Sequence, residues 1–268
     1  MRTLATRAQH SRAGLRSETD VTDAAWLILA PFLPPARARG CPREWPIREI
    51  VNAIFHVLRG EIAWSLLPKD FPPSPSPPPS RMGYAWFARL RDDSPWETIN
   101  HHLVMRDRGR GGREASPTAV VIDSQTVKTT ESGGVRGYDG GKKITGRKRH
   151  AMVDTDGRAL TVQAHPASIQ DRDGAGPLLR ASQARWPLVA LGYADGGYAG
   201  PPVANASSIR IEVVRKADQQ VGFAVIARRW VMERFIAWIN RNRRLAKDVE
   251  ASIESVVKRH REPIQGRR

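Results

Sequence analysis

The sequence predicts an α/β protein in which a mixed β-sheet with flanking helices follows a small all-helical N-terminal domain. Two observations support this prediction. From residue 20 to about 110, apolar residues recur three and four positions apart, which is the helical period. Beyond residue 115 the pattern changes to short apolar or β-branched runs bounded by Gly, Asp and Pro, first three in succession and then alternating with helical stretches. This order of elements is typical of an α/β domain with a mixed sheet.

The composition excludes several classes of protein. Hydrophobic residues make up 40% of the 268 residues and include 8 Trp, so the chain can bury a sizeable core. Lys and Arg number 43 against 27 Asp and Glu, and the net charge of +16 favours a polyanionic partner such as nucleic acid. No window holds the ~18 apolar residues of a membrane span, so no membrane partner is expected. The single cysteine, Cys41, can form no internal disulfide, which indicates a reducing cytoplasm.

Composition also divides the chain into segments. Residues 1–19 are expected to form a basic disordered tail and residues 20–110 a helical domain for DNA binding or assembly. The basic loop RDRGRGGREASPT then leads to the α/β domain, residues 115–250. Residues 251–268 form a second basic tail. The helical domain is interpreted as a helix-turn-helix-like unit, with a packing or dimerisation module as the alternative.

Helix signals mark three elements of the N-terminal domain. Thr22 is the expected N-cap of the first helix, and Pro46 opens the second, which Gly60 interrupts. A third helical stretch runs from about Tyr84 to Met105. Between the second and third, six prolines fall in the Pro-rich break at residues 72–80, where neither a helix nor a central strand is expected.

Five strands and two principal helices are predicted in the α/β domain. The strands lie in TAVVIDSQTV, KRHAMVDT, RALTVQAHP, PLVALGYAD and SIRIEVVRK. A helix from about Asp173 to Trp186 precedes the fourth strand, another short helix precedes the fifth, and a long helix that contains Glu233 follows.

Two aspartates stand where apolar strands end. Asp123 follows the run AVVI, and Asp195 follows PLVALGYA and precedes two glycines. An ionised carboxylate in apolar surroundings costs several kcal/mol unless hydrogen bonds, cations or a metal compensate it. Mg²⁺ prefers carboxylate oxygens, and two ions about 3.5–4 Å apart can bind both the attacking and the leaving oxygen of a phosphodiester. With Glu233 on the later helix, these aspartates make up a possible site of this kind.

Each of these carboxylates has a simpler interpretation. Glu233 can form an ion pair with Arg229 one helical turn earlier. Asp123 can cap a turn at the end of its strand, and Asp195 before Gly-Gly can be an ordinary turn residue. The combination of all three, rather than any one of them, favours the metal site.

Other acidic residues are assigned to local structure. Asp154 and Asp156 in VDTDG are interpreted as turn residues of a hairpin, because Asp-Gly is the usual two-residue turn signal. Asp171 and Asp173 in SIQDRDGAG are interpreted as capping residues that open a helix.

Basic residues form two candidate DNA-binding clusters. The segment GGKKITGRKRH is interpreted as a loop that holds a DNA backbone without reading its sequence, the alternative being a solvated hairpin with no partner. Its basic residues are Lys142, Lys143, Arg147, Lys148, Arg149 and His150. The second cluster surrounds Glu233 and includes Arg229, Arg241 and Arg244.

Four blocks resemble, in order, those of bacterial insertion-sequence transposases of the insertion-sequence-five family, in the Asp-Asp-Glu class. They are VIDSQTVKTTESGGVRGYDGGKKITGRKRHAMVDTDG, HPASIQDRDGA, ADGGYAG and RRWVMERFIAWINRNRRLAKD. The resemblance implies a ribonuclease H-like catalytic domain in which Asp123, Asp195 and Glu233 bind two Mg²⁺ or Mn²⁺ ions. It also implies that Arg229 contacts DNA near this site.

The activity implied by the resemblance is that of a DDE transposase. Metal-dependent cleavage at the terminal inverted repeats of an element liberates 3′-hydroxyls, which attack target DNA. The implied partners are double-stranded DNA and a second copy of the chain, as a homodimer on DNA. The implied location is the bacterial cytoplasm, with the nucleoid.

Three features depart from the family pattern. Ile226 stands where the class has a tyrosine and Asn240 where it has a lysine, so that Arg241 is a candidate replacement for the cation. The span from Asp195 to Glu233 is short, and the Pro-rich break replaces an expected aromatic helical segment. These features support an alternative, a decayed and inactive copy that only binds DNA. A ribonuclease H-like nuclease without strand transfer is the other alternative.

Overall fold

The fold was described from a computed structural model and consists of two compact units, Met1–Pro95 and Trp96–Arg268. The structure describes residues 3, 11–35, 45–71, 79–93, 95–130, 134–214, 229–250 and 253, and only the backbone at 79–83 and 229. The prolines from 72 to 78, most of the predicted C-terminal tail and part of the N-terminal tail lie outside these residues. The domain boundaries expected from composition stay predictions.

The described part of the first unit contains three α-helices. They are α1 (Asp23–Leu29), α2 (Ile47–Gly60) and α3 (Pro79–Asp92), with 3₁₀ turns at Ala30–Phe32 and Trp64–Leu66. Thr22 caps α1 as predicted, since its hydroxyl accepts the Ala25 N–H at 3.2 Å. Pro46 is the N-cap of α2. The left-handed residue that ends α2 is Glu61, with φ of 60°, one position after the predicted break at Gly60.

The core of the first unit is built around α2. Its apolar face buries Ile50, Val51 and Ile54, and a cluster of Ala53, Val57, Leu67 and Phe71 packs beside it. Buried Asn52 accepts the Val21 N–H at 2.9 Å, which ties the chain before α1 to the middle of α2. This is the small all-helical domain predicted from periodicity.

The prediction of one helix from Tyr84 to Met105 is wrong, because two helices occupy that stretch. Helix α3 ends at Asp92, and α4 runs from Pro95 to Arg110. Proline lacks the backbone N–H needed inside a helix but suits its first turn, so Pro95 separates the two. Nearly all of α4 belongs to the second unit.

The second unit contains the predicted mixed sheet. Its strands are β1 (Ala119–Lys128), β2 (Gly137–Asp139), β3 (Ile144–Asp154), β4 (Ala159–Pro166), β5 (Leu191–Ala194) and β6 (Arg210–Val213). The order is β2-β3-β1-β5-β6, with β4 also paired to β3. Strand β1 is antiparallel to β3 and parallel to β5, which is parallel to β6. All five predicted strands are present, and the sequence missed only β2, which is three residues long.

Helices cover both faces of this sheet. They are α5 (Asp171–Arg185), α6 (Pro201–Ala204), α7 (Arg229–Asn240) and α8 (Arg243–Ala246). Leu178 and Leu179 of α5 pack with Val120 and Ile122 of β1 in the main core. Gln125 projects from the other face of β1 and approaches Asn240 of α7, with 3.5 Å between amide nitrogen and oxygen. Strand β1 therefore lies between α5 and α7.

Candidate active site

Asp123 lies in the middle of the sheet, on the central strand β1. The carboxylate is half-buried and accepts the backbone N–H of Ser124 at 2.7 Å. Because side chains alternate along a strand, Asp123 and Gln125 share the face covered by α7, whereas Ser124 projects toward α5. On the antiparallel neighbour β3, His150 lies opposite Ser124 and therefore shares its face.

Asp195 reaches the same place from the neighbouring strand. Strands β1 and β5 are parallel, with Val121 opposite Tyr193. Continuing this register by two residues on each strand aligns Asp123 with Asp195, and adjacent strands are about 4.8 Å apart. Asp195 also accepts the Gly197 N–H at 2.9 Å, as the cap of a 3₁₀ turn from Gly196 to Tyr198. The turn interpretation of Asp195 is thus correct, and the turn holds the carboxylate at the end of β5.

The hydroxyl of Tyr198 is close enough to three carboxylates, those of Asp123, Asp171 and Asp195, for their charges to affect its pKa. Its ring is buried, and burial is the main cause that raises the pKa of its hydroxyl well above the ordinary value. The negative charges of Asp123, Asp171 and Asp195 raise it further, while a hydrogen bond with Ser124 opposes them.

Asp171 has a role that the sequence did not predict. Helix α5 begins at Asp171 and has Asp173 in its first turn, as predicted, but its N-cap is Gln170, so the cap assignment of Asp171 is wrong. Its Oδ1 instead accepts the Ser124 hydroxyl at 2.7 Å and the Lys148 ammonium at 3.1 Å. Burial raises the pKa of Asp171, but these two hydrogen bonds and the charge of Lys148 outweigh burial and lower it overall. No local signal indicates this role, because all partners are distant in sequence.

Glu233 lies on α7, and its side chain is exposed. A Cβ atom at Gly157, in the β3–β4 turn, would lie 3.4 Å from Cγ1 of Val231 on the same helix, and Asn240 approaches Gln125. Helix α7 therefore passes along the face of β1 that carries Asp123. The side chain of Arg229 is outside the described residues, so its ion pair with Glu233 stays a prediction.

The carboxylate oxygens of Asp123 and Asp195 suit a hard cation, but they do not by themselves form a complete metal site. Asp123 and Asp195 offer oxygen atoms, which Mg²⁺ and Mn²⁺ prefer. Within the described ranges, no three His, Cys, Asp or Glu side chains lie close enough together to hold a metal ion. The structure therefore places Asp123 on β1 and Asp195 directly after the neighbouring strand β5, and the metal site of Asp123, Asp195 and Glu233 stays a prediction.

Comparison with known protein families shows which family the chain belongs to. Residues 114–258, more than half of the chain, match the family described as "Transposase DDE domain". The chain belongs to the DDE transposase family. Residues 21–100 match "Putative transposase of IS4/5 family (DUF4096)", so the chain is an IS4/5-type DDE transposase. The predicted family, the mixed sheet with flanking helices and the helical N-terminal region are confirmed.

Other comparisons add little to the family assignment. No curated protein matches the transposase. Among solved structures it is similar to the "Mos1 transposase paired-end complex with left transposon end", at 12% sequence identity and a TM-score of 0.24. The match covers 69% of this chain and 62% of that one, which is less than two thirds of its length. No helix in the described ranges of the transposase is long and apolar enough to cross a membrane.

Four of the six basic residues predicted to form a DNA-binding loop lie inside the transposase. Arg147, Lys148, Arg149 and His150 belong to β3, and all four side chains are buried. Arg147 forms an ion pair with buried Asp248 at 3.1 Å. Burial lowers the pKa of Arg149 to about 10. The interpretation as a loop is therefore wrong for these four, which are strand residues, and Arg147, Lys148 and Arg149 contact groups that are distant in sequence.

The remaining basic residues differ in exposure. Lys142 and Lys143 are exposed at the tip of the β2–β3 hairpin. Buried Asp139 fixes that tip by accepting the Gly141 and Lys142 N–H groups at 3.1 and 3.0 Å. In the second cluster Arg241 is exposed.

Arg244 of that second cluster is half-buried. Its guanidinium forms an ion pair with Glu250 at 3.0 Å. It is therefore less available to DNA than Arg241.

Two adjacent imidazoles, buried His150 and half-buried His165, lie beside Asp171. His150 and His165 have ring centroids 4.7 Å apart, and the Tyr198 hydroxyl lies 3.0 Å from His150 Nδ1. Burial first, and then the charge of the neighbouring His165, lower the pKa of His150 to about 3, so His150 is neutral at physiological pH. Both Nε2 atoms point at Gly174 of α5, where a Cβ would lie 2.5 Å from that of His165 and 2.6 Å from that of His150.

Replacing Gly174 by Ala is therefore expected to destabilise the transposase by about 1–3 kcal/mol, because an added methyl group overpacks these two rings. Gly109→Ala is the matched control, since Gly109 is helical and nothing lies within 4 Å of its Cβ position. There the change should be neutral or stabilising by up to about 1 kcal/mol. Urea denaturation measures both. Equal stability of the two variants would contradict the close packing at Gly174.

Proposed function

We propose that this transposase cuts DNA at the terminal inverted repeats of its element and joins the liberated 3′-hydroxyls to target DNA. Asp123, Asp195 and Glu233 are the proposed carboxylates that bind two Mg²⁺ or Mn²⁺ ions. The observation that supports this proposal is that Asp123 lies on β1 and Asp195 directly follows β5, the parallel neighbour of β1, in a chain of the DDE transposase family.

The protein groups have defined tasks in this reaction. Asp123 and Asp195 each accept the N–H of a residue that follows closely in the chain, so their orientation is set by backbone atoms. Divalent cations held by these carboxylates would activate the attacking water or DNA 3′-hydroxyl and would stabilise charge on the leaving oxygen. Because the nucleophile is water or a DNA hydroxyl, no protein side chain needs to form a covalent intermediate.

DNA is the proposed partner on the basic surface. Lys142 and Lys143 lie at the tip of a hairpin held rigidly by Asp139, and ammonium groups there can neutralise phosphates without reading sequence. Arg229 and Arg241 are the proposed contacts near Glu233. The net charge of +16 supports the same partner.

The larger assembly is also a proposal. We place a helical DNA-binding or assembly domain at residues 20–110 and the catalytic domain at residues 115–250. Two copies of the chain are proposed to act together as a homodimer, because two DNA ends have to be joined to one target. The proposed location is the bacterial cytoplasm, at the nucleoid.

Cleavage of a duplex that carries the element's end tests the function. With Mg²⁺ or Mn²⁺ the protein should nick the end and leave a 3′-hydroxyl, and EDTA should abolish the reaction. Glu233→Gln should slow cleavage by roughly 100-fold or more, because it removes a charged metal ligand. Glu212→Gln is the matched control, since Glu212 is exposed on β6, and it should cut at the wild-type rate.

Three other outcomes would contradict parts of the proposal. Binding without cleavage in either metal would show a decayed copy. Cleavage without joining would show a nuclease. Equal rates for Glu233→Gln and Glu212→Gln would remove Glu233 from the site.

A further inference from the structure

We propose that Asp171 is a positioning residue that joins the strand carrying Asp123 to the turn carrying Asp195, with Lys148 as its fixed counter-charge. This inference rests on the proposed function, because it concerns how the same metal-binding carboxylates are held. The proposal assigns no contact with DNA or metal to Asp171 itself.

The first half of the connection is to β1. Asp171 Oδ1 accepts the hydroxyl of Ser124 at 2.7 Å. Ser124 follows Asp123 directly, and its own backbone N–H is the donor to the Asp123 carboxylate. A single residue of β1 therefore connects the two carboxylates, so a shift of Asp171 displaces the backbone group that orients Asp123.

The second half of the connection is to the turn after β5. A Cβ atom at Gly197 would lie 3.0 Å from Asp195 Oδ1 and 3.3 Å from Asp171 Oδ2. The two carboxylates therefore flank Gly197, whose N–H is the donor to Asp195. Asp171 limits how far this turn can move, and a side chain at position 197 would push the two apart.

Lys148 makes this arrangement electrostatically possible. Like charges repel, and Asp123, Asp171 and Asp195 all act on the single phenol of Tyr198. The Lys148 side chain is only 7% exposed and lies 3.1 Å from Asp171 and 3.8 Å from Asp139. A buried ammonium needs such compensation, and in return it cancels the charge of Asp171. The negative charges of Asp123 and Asp195 then remain available to bind a cation.

The alternative is that Asp171 only stabilises the fold. The two roles differ in what they change. Loss of a purely structural contact lowers the melting temperature and leaves metal affinity unaffected. Loss of a positioning contact weakens metal binding, because partners that orient metal ligands typically contribute about 10–100-fold to affinity.

The test uses Asp171→Asn, which keeps the shape and removes the charge, beside Asp173→Asn as the matched control. Asp173 is exposed in the same first turn of α5. Two quantities are measured on the full chain: the Mn²⁺ concentration for half-maximal cleavage, and the rise in melting temperature that Mn²⁺ causes without DNA. Asp171→Asn should raise the first by about tenfold or more and reduce the second. Asp173→Asn should match wild type in both.

A milder variant covers the case in which Asp171→Asn does not fold. Ser124→Ala removes only the hydroxyl that Asp171 accepts, and it should raise the half-maximal Mn²⁺ concentration about threefold, in proportion to the single hydrogen bond lost. If Asp171→Asn fails to fold, Ser124→Ala decides the question. Wild-type Mn²⁺ dependence in the variant that folds overturns the proposal.

The readout without DNA separates this inference from the proposed function. One outcome is that wild type never cuts DNA, while Mn²⁺ still raises its melting temperature and Asp171→Asn removes that rise. This result would support the positioning role of Asp171 and contradict the proposed cleavage function. If wild type cuts and Asp171→Asn shows the same metal dependence, the function stands and positioning falls. If Mn²⁺ affects neither cleavage nor melting of wild type, both fail.

Discussion

Replacing Asp123 by Ala is expected to slow cleavage of the element's end roughly 1,000-fold or more, because it removes a charged ligand from the centre of the metal site. Binding to the same duplex should stay within about threefold of wild type, since phosphate contacts by Lys and Arg supply most of the affinity for DNA. Asp195→Ala should behave in the same way, because Asp195 directly follows the strand parallel to β1 and is the second proposed metal ligand. Single-turnover cleavage and a filter-binding titration measure the two quantities.

The control for this result is Asp173→Ala, an equal loss of charge at an exposed position of the same unit. It should cut at the wild-type rate. Circular dichroism shows whether Asp123→Ala remains folded. A folded Asp123→Ala variant that still cuts at the wild-type rate would place the catalytic centre elsewhere in the molecule.

Replacing Asp154 by Ala is expected to lower the free energy of unfolding by about 3–5 kcal/mol, because it leaves a buried charge unpaired. Asp154 is fully buried, and Oδ2 lies 2.7 Å from Arg108 of α4 and 3.0 Å from Arg158. Its Oδ1 accepts the N–H groups of Asp156 and Arg158. The carboxylate thereby fastens α4 to the β3–β4 turn. A fall in melting temperature of roughly 6–20 °C should follow.

Asp156→Ala is the matched control for Asp154→Ala. Asp156 lies in the same turn and also binds Arg158, at 2.6 Å, but its side chain is 27% exposed. Water can replace part of that interaction, so the loss should be at most about 1 kcal/mol. Scanning calorimetry of both variants decides the matter. Similar melting temperatures would show that the burial of Asp154 does not increase its contribution to stability.

Some of the site was predictable because it depends on local pattern. Each of Asp123 and Asp195 follows an apolar run, which singled it out. Asp195 does follow the end of β5, whereas Asp123 lies in the middle of β1 and not at its end. On α7 the helical period separates Glu233 from the apolar face, and Glu233 is exposed while Val231 and Phe235 are buried. These features could be predicted because periodicity is a property of the segment itself.

Other parts could not be predicted from local pattern. KKITGRKRH contains six basic residues in nine and was assigned to an exposed loop, yet Arg147 and Lys148 are buried in a strand. Their partners, Asp248 and Asp171, are far away in the chain, and no short-range rule joins them. Asp154 was correctly placed in a turn, but nothing in VDTDG indicates that Arg108 would bury it.

By itself the sequence determined the α/β class, the positions of the main strands and helices, the transposase family and the three carboxylates proposed for catalysis. These follow from patterns within segments, where burial and backbone preference act residue by residue. Only the tertiary structure decided that Asp171 and Lys148 lie beside the aligned aspartates and that four predicted DNA contacts are internal. The free energy of a buried charge depends on which distant groups surround it, and only the folded chain brings those groups together.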